Sequence, residues 1–195
     1  GFSLMPQIGA KRGRRILNYF GDFEKAWHAD SGALAHAGIE PHVSTHIVAQ
    51  RASLDLDKEM EKIARASISL ITIADSDYPE QLKNIYDPPL LLFARGVGDA
   101  RDSDAVGIVG SRKASEYGRQ IATSFARDLA LSGVTIVSGL ASGIDGCAHR
   151  GALSVQNGRT IAVLGCGIDD QTIYPREHLR LAHEIIAGRG VVMSE

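Results

Sequence analysis

The sequence contains few cysteines, few aromatic residues and no long apolar run. Its two cysteines, Cys147 and Cys166, are too few for the disulfide framework of a small secreted domain. No stretch reaches the roughly 18 apolar residues that a membrane-spanning helix requires. A basic segment followed by an apolar core, which would indicate a secretory signal, does not occur at the start. We therefore expect a cytoplasmic protein without membrane insertion.

The chain also lacks an excess of charge of one sign. Its 21 lysines and arginines nearly balance 23 aspartates and glutamates, and the formal net charge is −2. A wholly electrostatic, histone-like binder is therefore disfavoured, and any nucleic acid must be bound through a local patch. Neither a Walker A motif nor the G-x-G-x-x-G motif of dinucleotide-binding folds occurs in the sequence. These absences disfavour ATP hydrolysis and hydride transfer.

The periodicity of the apolar residues divides the chain near Ser67. Residues 1–66 show helical spacing and no clear strand, so we predict a small all-helical domain with a long amphipathic helix over residues 45–66. The basic run at residues 11–15 follows a glycine and precedes an apolar helix. It is similar to the turn of a SAM- or helix-hairpin-helix-like module that contacts DNA phosphate, and a solvated helix face is an equally good interpretation.

From residue 67 onward, short apolar strands alternate with amphipathic helices. The sequence predicts strands at 68–73, 90–93, 106–109, 134–137, 160–164 and 191–193, and helices at 116–132, 143–156 and 175–187. Wholly apolar strands separated by helices are typical of a parallel sheet that is covered on both faces. We therefore predict a doubly wound, mostly parallel α/β domain over residues 67–195. Since the last strand stands at the end of the chain, we expect this domain to be incomplete and the chain truncated.

Three of the predicted strands end in glycine-bearing turns. The turns are Gly110-Ser111-Arg112, residues 138–146 and Gly165-Cys166-Gly167. Carboxyl ends of parallel strands share one edge of the sheet, where backbone N–H groups and helix N-termini bind anions. An arginine in the first turn indicates that the anion is a phosphate, because a guanidinium forms a planar, charged fork. A tight turn with a surface arginine is the plainer alternative.

Asp145 and His149 lie four residues apart at the start of a predicted helix, so they share one helix face. An acid–base pair or two metal ligands would fit this spacing. A metal site needs a third ligand, and Cys147 lies on a different face of the helix. We therefore favour a structural role, in which Asp145 complements the helix N-terminus and His149 hydrogen-bonds to it.

Longer motifs in the same region resemble those of the DNA-processing protein A family (DprA/Smf). The resemblance is carried by residues 78–82, 87–96, 106–112, 138–145, 148–149, 151–153, 173–175 and 194–195. It implies a Rossmann-like fold and a cytoplasmic bacterial dimer with no known catalysis, cofactor or metal. It also implies that the protein binds and protects single-stranded DNA during natural transformation and helps to load the RecA recombinase. Residues 1–66 fit the variable helical domain of the family more loosely.

The resemblance further implies which residues contact DNA. The pocket carries over onto Gly110, Ser111, Arg112, Lys113, Gly139, Ser142, Gly143 and Arg176. Asp145 and His149 are expected to have structural roles at this site. The chain has His178 where the family usually has asparagine, and later motifs of the family are expected beyond Glu195.

Two other functions stay open from the sequence alone. The predicted sheet edge also resembles that of nucleotide-processing phosphoribohydrolases of the lysine-decarboxylase-like family. Their Pro-Gly-Gly-x-Gly-Thr motif does not occur in this chain. A nucleotide-sensing module without a nucleic-acid partner would use the same kind of phosphate-binding edge. We favour single-stranded DNA binding, since the long motifs of the DNA-processing family match in order and spacing.

Overall fold

The computed structural model describes all residues from 1 to 195. Its α-helices are α1 (Ala10–Phe20), α2 (Phe23–His28), α3 (Ser31–His36), α4 (Pro41–Arg51), α5 (Leu56–Arg65), α6 (Glu80–Lys83), α7 (Glu116–Leu131), α8 (Ile144–Leu153) and α9 (Leu179–Ala187). The strands are β1 (Ser69–Thr72), β2 (Leu91–Gly96), β3 (Ala105–Gly107), β4 (Thr135–Ser138), β5 (Thr160–Leu164) and β6 (Val191–Ser194). Short 3₁₀ helices occupy Phe2–Leu4, Ala100–Ser103 and Arg176–His178. None of the helices combines the length and the apolar content that crossing a membrane demands.

Helices α1 to α4 pack around an apolar core of their own, made of Phe2, Met5, Ile16, Ala26, Leu34, Ile39, Val43 and Ile47. The prediction of one helix over residues 45–66 is wrong, because α4 ends at Arg51 and α5 starts at Leu56. The break has a local cause. The carboxylate of Asp55 accepts a hydrogen bond from the backbone N–H of Lys58, and this side-chain cap starts a new helix.

The six strands form one sheet in the order β1-β2-β6-β5-β4-β3. Strands β3, β4, β5 and β6 are parallel, whereas β1 and β2 are antiparallel to each other and β2 is antiparallel to β6. The predicted α/β class and mostly parallel sheet are confirmed. Strand β2 runs three residues beyond its predicted end, because it pairs with β6 as far as Gly96.

The parallel strands follow one another in chain order without a reversal. Since crossovers between parallel strands are right-handed, α7, α8 and α9 lie on the same face of the sheet. The opposite face carries a separate cluster of Ala94, Ile161, Val191 and Met193, and Val163 is 46% exposed. In residues 105–195 the helices therefore cover one face of the sheet, whereas the sequence predicts helices on both faces.

The link between β2 and β3 is held at the amino edge of the parallel strands by Arg159. Its Nε lies 2.5 Å from Oδ1 of Asp102, and its Nη2 lies 2.6 Å from Oδ2 of the same carboxylate. Nη2 also donates to the carbonyl of Val97 at 2.9 Å, and Nη1 donates to the carbonyl of Arg189. Arg159 is only 4% exposed and Asp102 is half-buried, so this ion pair is largely shielded from water. The carboxyl edge of the sheet remains open for the glycine-bearing turns.

Candidate nucleic-acid interface

Three connections meet at the carboxyl edge of the parallel strands. We call them the first turn (residues 108–115, after β3), the second turn (139–143, after β4) and the third turn (165–178, after β5). Helix α7 begins after Ser115, whose Oγ accepts a hydrogen bond from the N–H of Gly118 at 3.1 Å. Helix α8 begins directly after the second turn. Two helix N-termini therefore lie at this edge, an arrangement that favours anions.

Asp145, which is only 6% exposed, joins the first turn to the second. Its Oδ1 accepts a hydrogen bond from the N–H of Gly110 at 3.4 Å, and its Oδ2 accepts one from the N–H of Gly139 at 3.0 Å. A Cβ on Gly139 would lie 2.9 Å from that Oδ2, so a larger residue here would push the carboxylate out of place. The predicted hydrogen bond between Asp145 and His149 is wrong, because the carboxylate accepts from backbone amides and neither ring nitrogen of His149 bonds to it.

His149 is fully buried and bonds to the sheet instead. Its Nδ1 lies 2.7 Å from Oγ1 of Thr160, and that hydroxyl donates to the carbonyl of Ile136. Nδ1 therefore carries the ring proton, and Nε2 is left without a hydrogen-bond partner. Burial is the largest cause that lowers the pKa of His149 to about 3, and the nearby side chains of His178 and Arg150 act in the same direction.

We expect His149 to make the folded protein sensitive to acid. Its folded-state pKa lies below the ordinary value of about 6.5, so its stabilising contribution is complete above pH 6.5 and is lost as the pH falls towards 3. Between pH 7 and pH 5 the loss is about 2 kcal/mol. Urea unfolding at several pH values measures it. His149→Asn, whose amide can replace the Nδ1 donor, should show a shallower pH dependence, and equal slopes in the two proteins would contradict this assignment.

The second turn depends on backbone conformations that L-residues rarely adopt. Leu140 has φ +58° although it is fully buried, and Gly143 has φ +83°. A Cβ on Gly143 would lie 2.3 Å from the carbonyl oxygen of Ser111, which shows how closely the two turns approach. The backbone N–H groups of residues 141–143 have no acceptor within the chain. They are available to a bound anion.

His178 of the third turn holds the second turn from the other side. Its Nδ1 donates to the carbonyl of Leu140 at 2.8 Å, and its Nε2 lies 3.2 Å from Nη2 of Arg150. Because arginine can only donate, Nε2 must be the acceptor, and the imidazole is neutral. His178 is therefore a structural link between α8 and the second turn.

A second link between these segments joins Ser142 to Glu177. The hydroxyl of Ser142 donates to Oε1 of Glu177 at 2.8 Å. Sequence reasoning missed both Glu177 and Arg150 as members of the site. Nothing in the local pattern indicates them, since Ser142 and Glu177 are 35 residues apart in the chain.

The predicted basic residues of the site differ in how many partners they have. Arg112 and Lys113 are exposed, and neither side chain takes part in a hydrogen bond or ion pair. The guanidinium of Arg176, by contrast, donates to the carbonyl of Asp170 within the third turn. Ser111 is exposed, and its Oγ accepts a hydrogen bond from the N–H of Lys113 at 3.1 Å. That hydroxyl can still donate its own proton to a ligand.

The basic run of α1 is engaged in contacts within the protein. Arg12 forms an ion pair with Glu40 at 2.9 Å, and this guanidinium lowers the pKa of the Glu40 carboxyl to about 2. Nη2 of Arg14 contacts Oδ1 of Asp87 at 3.0 Å, and Arg15 donates to a backbone carbonyl. These contacts favour a packing role for the run over a phosphate site.

The chain is similar to proteins of a known family. Residues 69–195 match the family described as DNA recombination-mediator protein A. The chain is similar to Protein Smf of Synechocystis sp., with 38% identity over 199 residues. The alignment covers 100% of this chain and 49% of that protein, so the chain spans about half the length of this relative.

Two solved structures are also similar to the chain. DNA processing protein A (DprA) from Streptococcus pneumoniae aligns with a TM-score of 0.74 and 32% identity, covering 94% of this chain and 61% of that one. DNA processing protein A from Helicobacter pylori, described for its unique single-stranded DNA binding mode, aligns with a TM-score of 0.53 and 31% identity over 66% of this chain and 56% of that one. The family match covers well over half of the sequence and includes the three turns that form the edge. The chain therefore belongs to the DNA recombination-mediator protein A family.

Proposed function

We propose that this chain binds single-stranded DNA along the edge formed by the first and second turns. One observation carries the proposal: Arg112 and Lys113 are exposed cations without a partner, next to a turn whose N–H groups at residues 141–143 are free. Cations and amide donors together follow a phosphodiester backbone without reading base sequence. The single-stranded DNA binding mode described for the Helicobacter pylori relative supports this choice of ligand.

The proposed contacts divide by chemistry. Arg112 and Lys113 supply charge, and the hydroxyl of Ser111 donates a hydrogen bond to a phosphate oxygen. Because the hydroxyl of Ser142 already donates to Glu177, Ser142 would contact the phosphate through its backbone N–H. Gly110, Gly139 and Gly143 would act indirectly, because their missing side chains let Ile144, Asp145 and the backbone of Ser111 pack closely against the two turns and hold the binding groups in place. Arg176 would contact DNA with the N–H groups that Asp170 does not use.

We further propose that the protein acts as a recombination mediator in natural transformation. In this role a homodimer protects incoming single strands in the cytoplasm and helps to load RecA onto them. Membership of the family supports the role. Asp145 and His149 are buried and hydrogen-bonded to backbone or sheet groups, so the proposal gives them structural roles and includes no catalytic step.

Replacement of Arg112 by alanine is the direct test of this function. Arg112→Ala should weaken binding to an oligo-dT strand and reduce the slope of log K against log salt by about 0.7, the value for one phosphate contact on a single strand. Fluorescence anisotropy at several salt concentrations measures both quantities. Arg127→Ala is a matched control, since Arg127 is exposed on α7 and pairs with Asp128. An unchanged affinity and slope for Arg112→Ala would refute this placement of the DNA.

A further inference from the structure

Glu177 is an acidic residue at an edge otherwise equipped for anions. It is exposed, and its Oε1 accepts a hydrogen bond from Oγ of Ser142 at 2.8 Å. The neighbouring cations are directed elsewhere, since Arg176 donates to the carbonyl of Asp170 and Arg150 donates to His178. Glu177 forms no ion pair, so its full negative charge stands beside the second turn.

The position of Glu177 is fixed by its neighbour in the chain. His178 is 4% exposed and is bonded to both Leu140 and Arg150. A Cβ on Gly146 would lie 2.6 Å from Cε1 of His178, so the imidazole packs directly against α8. The backbone at Glu177 therefore cannot move away from the second turn without breaking these contacts. The Glu177 carboxylate is therefore held beside the second turn by contacts within the protein.

We propose that Glu177 makes this edge selective for phosphodiesters over the terminal phosphates of free nucleotides. The inference rests on the proposed function, because it assumes that the first and second turns bind phosphate. A phosphodiester carries one negative charge, whereas a terminal phosphate carries up to two at neutral pH. Repulsion grows with the charge of the ligand, so Glu177 disfavours a terminal phosphate about twice as strongly. Such a penalty against the wrong ligand produces specificity.

Free nucleotides and DNA would compete for the same groups of the second turn. Nucleotides bind to glycine-rich turns at helix N-termini through the same backbone groups that would hold DNA here. A carboxylate bonded to Ser142 obstructs this use of the turn by a compact, highly charged ligand. A DNA strand instead presents phosphates that carry one negative charge each, so each phosphate near the second turn is repelled less by Glu177.

A competition experiment tests the selectivity directly. A fluorescent oligo-dT strand bound to the protein is displaced with inorganic tripolyphosphate, which has terminal phosphates but no base. E177Q keeps an acceptor for Ser142 and removes the charge. It should lower the inhibition constant of tripolyphosphate by about fourfold, while the Kd for oligo-dT falls only about twofold. The matched control is E184Q, since Glu184 is exposed near the end of α9 and pairs with Arg180.

A second variant separates charge from hydrogen bonding. S142A removes the hydroxyl but leaves the Glu177 charge in place, so tripolyphosphate should remain a weak competitor. Equal gains for both ligands in E177Q, or no gain, would overturn the selectivity. A wild-type protein that fails to bind oligo-dT would refute the proposed function instead. Calorimetric titration of wild type and E177Q with tripolyphosphate alone would then still decide on Glu177, because equal affinities would exclude its role.

Discussion

Arg159→Ala is expected to lower the free energy of unfolding by about 3–5 kcal/mol, the usual result of breaking a buried ion pair by removing one partner. Arg159 is 4% exposed, and the side chain of Asp102 is 22% exposed. Alanine would remove the guanidinium N–H groups that donate to that carboxylate and to the carbonyl of Val97. The link between β2 and β3 would lose its attachment to the start of β5.

Thermal and urea unfolding measure this effect. For a chain of this size the loss corresponds to a decrease in Tm of roughly 6–20 °C. Arg180→Ala is the control, because Arg180 forms an exposed pair with Glu184 that contributes at most about 1 kcal/mol. A double variant, Arg159→Met with Asp102→Asn, removes both charges and should recover part of the loss. A single variant as stable as the control would show that the pair does not hold the link.

Arg159 also illustrates what local sequence could not predict. It stands between Gly158 and the first residue of β5, a place where an arginine normally reaches into solvent. Its burial depends on where residues 97–104 cross the amino edge of the sheet, and that path follows from the strand order. Apolar periodicity predicts the strands themselves, because each strand has its own pattern. It contains no information on which strands become neighbours.

At the candidate site, too, local sequence predicted the turns but not the side-chain contacts between distant residues. Glycines next to strand ends predicted the first and second turns, because turn chemistry is local. Helical spacing then suggested His149 as the partner of Asp145. The carboxylate instead accepts from the amides of Gly110 and Gly139, and His149 bonds to Thr160. These contacts exist only after the strands have paired. The hydrogen bond between Ser142 and Glu177 likewise depends on tertiary structure, because it joins residues that are far apart in the chain.

Gly143→Ala is expected to reduce the affinity for single-stranded DNA by about tenfold, or about 1.4 kcal/mol. Gly143 has φ +83°, and an added Cβ would lie 2.3 Å from the carbonyl oxygen of Ser111 and 2.7 Å from that of Arg112. Both clashing atoms belong to the backbone, so side-chain rotation cannot relieve them. The second turn must move away from the first, at a strain of about 1–3 kcal/mol. The hydrogen bond from Ile144 N–H to Ser111, 3.3 Å long, would then break.

Gly165→Ala is the matched control, since Gly165 lies at the same edge but has no atom within 4 Å of an added Cβ and no positive φ. It should keep the wild-type Kd for oligo-dT, while Gly143→Ala loses affinity even where circular dichroism shows a folded protein. Combination with Arg112→Ala distinguishes one pocket from two sites. If both turns hold the same phosphate, the double variant loses less than the sum of the single losses. Additive losses, or wild-type affinity in Gly143→Ala, would contradict a pocket shared by the two turns.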